Sequence, residues 1–85
     1  MRTSTQFTGN LGPGASGRWF TFNWPAHWHV VWYVTPTTPQ RGAPQLDWDV
    51  AVERGDATRV TYWITVKNLT NSPVQFEGRY AVLNA

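Results

Sequence analysis

The sequence predicts an all-β fold, a small antiparallel sandwich of five to seven strands preceded by a flexible arm. Three observations carry that prediction. From Arg18 onward apolar residues recur at every second position, and no stretch repeats them at helical spacing. Clusters of Gly, Pro, Asn and Ser interrupt the alternation at short intervals, which is turn chemistry. Eighty-five residues carrying six tryptophans, four phenylalanines and three tyrosines suit one dense core in one domain.

Residues 1–17, "MRTSTQFTGNLGPGASG", are rich in Gly, Ser and Thr and carry almost no apolar pattern. They are expected to form the flexible arm, with room for one short strand around Gln6 to Thr8. Residues 18–85 form the single domain. In "RWFTFNW" one face carries Phe20, Phe22 and Trp24, the other Trp19, Thr21 and Asn23, and Pro25 ends the strand. "HWHVVWYVT" places Trp28, Val30, Trp32 and Val34 inward, with His27, His29, Val31, Tyr33 and Thr35 opposite. The proline-rich run 36–44 suits a crossing between sheets.

"LDWDVAVE" directs Leu46, Trp48, Val50 and Val52 inward and Asp47, Asp49, Ala51 and Glu53 outward. "RGDA" reads as a hairpin turn. "TRVTYWITVK" then sets Val60, Tyr62, Ile64 and Val66 against Arg59, Thr61, Trp63, Thr65 and Lys67. After the turn "NLTNSP", Val74, Phe76, Tyr80 and Val82 point inward, and Gly78 stands where an inward side chain was due. Pairing Val66 with Val74 across the turn would put Gly78 opposite Tyr62, leaving bare backbone for the ring to cover. A bulge at Gly78 is the other reading.

The run "VTYWITVKNLTNSPVQFEGRYAVL" resembles bacterial immunoglobulin-like sandwich domains of the CARDB type. In those domains an alternating strand ends in Val-x-Asn, a short polar turn follows, and the next strand opens on an apolar residue. The resemblance covers residues 59–83 and does not extend to the tryptophan-rich first half. It implies an immunoglobulin-like sandwich and a non-catalytic adhesion or accessory role, with no particular ligand.

Composition excludes several function classes. With no cysteine there are no disulfides, thiolate metal sites or cysteine nucleophiles. Net charge is +2 and the arginines are dispersed around a single lysine, Lys67, so no basic stripe points to nucleic acid. No segment is apolar for long enough to span a membrane, and the N-terminus lacks the apolar run of a signal peptide. Read at face value the chain is cytoplasmic, although a trimmed secreted protein given a new initiator methionine would look the same.

The chemistry-bearing motifs are mostly structural in reading. His27 and His29, two apart on an expected strand, could share a metal, yet no third or fourth ligand accompanies them, so no metal or other cofactor is expected. Asp47 and Asp49 lack the loop that calcium needs and the cleft of a glycosidase. They are expected to face Arg59, Lys67 or Arg79 across a sheet. Ser4, Ser16 and Ser72 lie in the arm or a turn, outside any nucleophile elbow, so the chain reads as non-enzymatic. "RGD" (54–56) reads as a turn, and "NLT" (68–70) is discounted as a glycosylation acceptor.

The outward aromatics carry the functional expectation. Alternation places Trp63 with Arg59 on a solvent face, Tyr33 with His27 and His29 on a second strip, and Trp19 on a third. Full burial of a tryptophan is worth on the order of 2–3 kcal/mol, so rings left outside are expected to be covered. The expected function is a non-catalytic interaction module that self-associates or binds a protein, since Trp, Tyr and Arg dominate binding hot spots. The alternative is a carbohydrate-binding module, with Trp19, Trp63 and Tyr33 stacking sugars and His27, His29 and Asp49 bonding hydroxyls.

Overall fold

The computed structural model describes all residues from Met1 to Ala85. It contains six strands and no helix: β1 (Arg2–Leu11), β2 (Ser16–Pro25), β3 (Val30–Pro36), β4 (Leu46–Arg54), β5 (Arg59–Asn68) and β6 (Val74–Val82). They form two three-stranded sheets, ordered β1-β6-β3 and β2-β5-β4, with every pairing antiparallel. Only β4 and β5 make a hairpin within one sheet. Every other connection changes layer, including the proline-rich run after β3, which crosses as expected.

Both layers contribute to one core. Leu11, Trp32, Phe76, Tyr80 and Val82 come from the first sheet, and Trp24, Val60, Ile64 and Val66 from the second. Around Trp24 the rings of Trp28, Trp32, Tyr62 and Tyr80 pack mostly edge to face, with centroids 4.9–6.1 Å away. Phe7, Trp19 and Phe76 form another aromatic group. Such T-shaped pairs gain from quadrupole alignment beyond simple burial.

Residues 1–17 differ from the expected flexible arm. Arg2–Leu11 is a ten-residue strand, not an arm, and it pairs with β6 from Arg2↔Val82 to Leu11↔Val74. A bulge at Gln6 shifts the register between Thr5 and Phe7. The strand holds because its inner face interlocks with β6. Phe7 lies over Gly78 and Phe76 lies over Gly9, two directly paired positions in which each glycine makes room for the opposite ring. Gly78 therefore faces Phe7, not Tyr62, since β5 and β6 belong to different sheets.

β2 departs from the expected strict alternation. Trp19 pairs with Ile64 and Thr21 with Tyr62, but the next pair is Trp24 with Val60. Phe22 and Asn23 thus stand opposite the single residue Thr61, and Asn23 takes φ 67°, a left-handed conformation that asparagine tolerates. One extra residue reverses the in/out phase. Trp19 turns inward onto the core, while Phe20 and Phe22 turn out and are 58% and 60% exposed.

Asn68 ties one end of the molecule together. Fully buried, its side-chain Nδ2 donates to the carbonyls of Leu11 (3.1 Å), Gly12 (3.0 Å) and Ser72 (2.7 Å). Its Oδ1 accepts from the Thr70 backbone N–H (2.9 Å) and hydroxyl (2.8 Å). The β1–β2 and β5–β6 turns are thereby held to one amide.

Candidate functional site

The outer face of the β2-β5-β4 sheet carries the candidate site. Register arranges its outward residues in rows across the strands: Ser16–Lys67–Asp47, Arg18–Thr65–Asp49 and Phe20–Trp63–Ala51. Along β2 the exposed Phe22 ring stacks on Phe20 (6.0 Å, 26°), and Phe20 stacks on Trp63 (5.0 Å, 27°). The Arg18 guanidinium lies over the same indole, 4.7 Å from its centroid. Trp63 therefore contacts both Phe20 and the Arg18 guanidinium of the neighbouring strand. The result is a stacked run of rings, Phe22–Phe20–Trp63, with a cation–π contact at its Trp63 end.

The bulge at Asn23 creates this run of rings. Without it Phe20 and Phe22 would share the inward face with Trp24. Period-two reading cannot see a bulge, and Phe20, Phe22 and Arg18 were accordingly missed as site residues. The available signal was Asn23, a residue favoured where the backbone must turn left-handed.

The residues expected to form the binding surface are dispersed. Trp63 is on the outer face as expected, with Asp49 one row away and Arg59 at the far end of the same strand. Trp19 is excluded, because it packs inside against Phe7 and Phe76. Tyr33 is half-buried on the other sheet's outer face, opposite Arg79. His27 and His29 are not on a strand, since β3 begins at Val30. They flank Trp28 in a turn where Asn84 bridges them, donating to the His27 carbonyl (3.0 Å) and accepting from the His29 N–H (2.8 Å). The Trp28 N–H closes that turn by donating to the carbonyl of Pro25 (3.1 Å), the last residue of β2.

Electrostatics on the candidate face are asymmetric. Asp47, Asp49 and Glu53 line β4, while Arg18 stands on β2. Asp47 faces Lys67 in register but forms no ion pair with it. The one salt bridge joins Arg79 to Glu77 on its own strand (2.9 Å). A shallow hollow of about 220 Å³ opens among Ser16, Asp47, Trp48, Asp49, Thr65 and Lys67.

Two further motifs are absorbed by structure. In the 54–56 turn, Arg54 donates to the carbonyls of Asp56 (3.1 Å) and Ala57 (2.8 Å). The Asp56 carboxylate accepts from the Thr58 N–H (2.7 Å), the Thr58 hydroxyl (3.1 Å) and the Arg59 N–H (2.9 Å). The Thr58 bonds, chiefly, hold the Asp56 carboxyl below the usual 3.8. Both side chains serve the hairpin. Asn68 of "NLT" is buried with its amide fully engaged, so it offers no exposed acceptor. No three His, Asp or Glu side chains come together as a metal cluster.

Comparison with protein-family models, curated proteins and solved structures returned no match. The functional reading therefore rests on this face and its chemistry.

Proposed function

We propose that the chain is a non-catalytic interaction module whose β2-β5-β4 outer face packs on protein, with self-association the simplest case. The exposed Phe22–Phe20–Trp63 column capped by Arg18 carries this reading. Full burial of a phenylalanine is worth roughly 1.5–3 kcal/mol, and more than half of Phe20 and Phe22 is still in water. Rigid stacked rings also lose little side-chain freedom when a partner covers them, which favours them as anchors.

An immunoglobulin-like ancestry of the CARDB kind is compatible with the pairing order. The β2-β5-β4 sheet follows the B-E-D pattern of such sandwiches, and β6-β3 follows F-C. Here β1, from the start of the chain, occupies the edge beside F where strand G would lie. The Val-x-Asn signature gains a physical basis, because Val66 fills the core and Asn68 binds the turns.

The carbohydrate alternative fits less well. A sugar platform needs a flat indole free to take a pyranose, whereas the Trp63 ring already stacks on Phe20 and carries the Arg18 guanidinium. Sedimentation velocity over a concentration series tests the choice. The wild type is expected to form a defined oligomer, and Trp63→Ala to shift it toward monomer with unchanged circular dichroism. A monomeric wild type whose tryptophan fluorescence responds to a glycan panel would overturn the proposal in favour of sugar binding.

A further inference from the structure

We infer that the partner covering this face is a second copy of the chain, related by a two-fold axis running along β5. The inference rests on reading the face as the interaction surface and adds who covers it and in which orientation. Three features of the face are complementary to themselves under that one operation.

Rotating a copy about an axis along β5 lays its β2 over β4 of the first copy, while each row stays at its own height. The Phe20–Trp63–Ala51 row then meets its own reverse. Phe20 projects onto the small Ala51 of the partner, and the two Trp63 edges meet at the axis. A bulky end opposite a small end is the shape an isologous contact needs.

Charge follows the same pattern. In the next row, Arg18–Thr65–Asp49, the operation sets each Arg18 over the partner's Asp49. The hollow lined by Ser16, Asp47, Asp49, Thr65 and Lys67 lies at that point, so each copy offers the other's guanidinium a recess with two carboxylates and one ammonium, net negative by one charge. A two-fold axis across the strands would instead stack β4 on β4 with the rows reversed, gathering Asp47, Asp49 and Glu53 of both copies along one seam. That seam gathers carboxylates with no outward cation of its own strand. The axis along β5 brings only Lys67, which faces Asp47 in register, and Arg59 at the strand's far end against their own copies, so the smaller like-charge repulsion selects the axis along β5.

Size places the contact among the weaker interfaces. Three strands at about 4.8 Å spacing and some seven residues of length present a face of roughly 15 by 25 Å. The two copies together then bury less than the roughly 1,200–2,000 Å² typical of stable complexes. A reversible, concentration-dependent dimer is the expected species.

Charge reversal in separate chains tests the arrangement. Arg18→Asp and Asp49→Arg are both at exposed positions, and circular dichroism with urea midpoints verifies that each variant folds. By sedimentation, each variant alone is expected to dissociate at least roughly tenfold more readily than wild type, since each sets like charges together twice. An equimolar mixture is expected to recover a dimer, because the carboxylates of one variant then meet the guanidinium groups of the other. A wild-type dimer that ignores both reversals but dissociates on Phe20→Ser overturns the two-fold arrangement and leaves the aromatic face as the interaction surface. A wild type that stays monomeric at high concentration overturns the second copy as partner. A dimer indifferent to Phe20→Ser and Trp63→Ala as well would remove both the arrangement and the face.

Discussion

Replacing Asn68 with alanine is expected to cost about as much as removing a large core side chain, although the group lost is a single amide. The amide has only two hydrogens, shared among the carbonyls of Leu11, Gly12 and Ser72, and its oxygen takes two more from Thr70. Four hydrogens at about 1 kcal/mol net each give about 4 kcal/mol. Gly12 and Ser72 are exposed and regain water, which lowers the figure to about 3, whereas the buried strand end at Leu11 does not. A chain of this length holds roughly 4–13 kcal/mol in total, so the loss takes roughly a quarter to three-quarters of its stability. Urea unfolding followed by tryptophan fluorescence measures the loss, and the melting point should drop by roughly 12–24 °C. Asn68→Asp should be worse than alanine at neutral pH, because it aims a carboxylate at three carbonyls. A loss below about 1 kcal/mol for Asn68→Ala, typical of an exposed turn residue, would refute the view that this amide binds the turns together.

Two further outcomes follow from named contacts. Gly78→Ala puts a methyl group into the Phe7 ring, so the ring must leave its seat; the expected cost is about 1–3 kcal/mol, with hydrogen-exchange protection lost first along β1. Equal protection of β1 in variant and wild type would contradict the interlock. Asp56 contributes stability that is present above its unfolded pKa, and its folded value lies below the usual 3.8 because Thr58 and Arg59 donate to the carboxylate. The advantage of wild type over Asp56→Ala should therefore hold at neutral pH and fade as pH falls through the folded value. An advantage that does not change down to pH 2 would rule out that origin.

What could be read from residues alone divides along a physical line. Alternation assigned the phases of β5 and β6 correctly, because Val60, Ile64, Val66, Val74, Phe76 and Val82 face a covered interior. It assigned β4 correctly until Val52, which points inward but is 63% exposed at the strand's uncovered end. Alternation failed in β2, where one added residue inverts a pattern that carries no mark of the insertion beyond Asn23. It also failed in β1. There Gly9 is a core position without a side chain, so only Phe7 and Leu11 remain as an apolar signal among Thr, Ser and Gln. The same inversion explains the candidate site: Trp63 was legible because β5 is regular, while Phe20 and Phe22 were hidden and Trp19 was misplaced.

The pairing of β1 with β6 has a consequence for synthesis. Arg2 meets Val82, so β1 leaves the ribosome ahead of the other five strands and must wait for β6 before its sheet can close. Until then β3 has no neighbour on that side either, because β6 is the strand both require. The β4–β5 hairpin can form early, but the nascent chain cannot reach its final state piecemeal. Folding dominated by such distant partners is slow, and the waiting strands are open to wrong pairings in the interval.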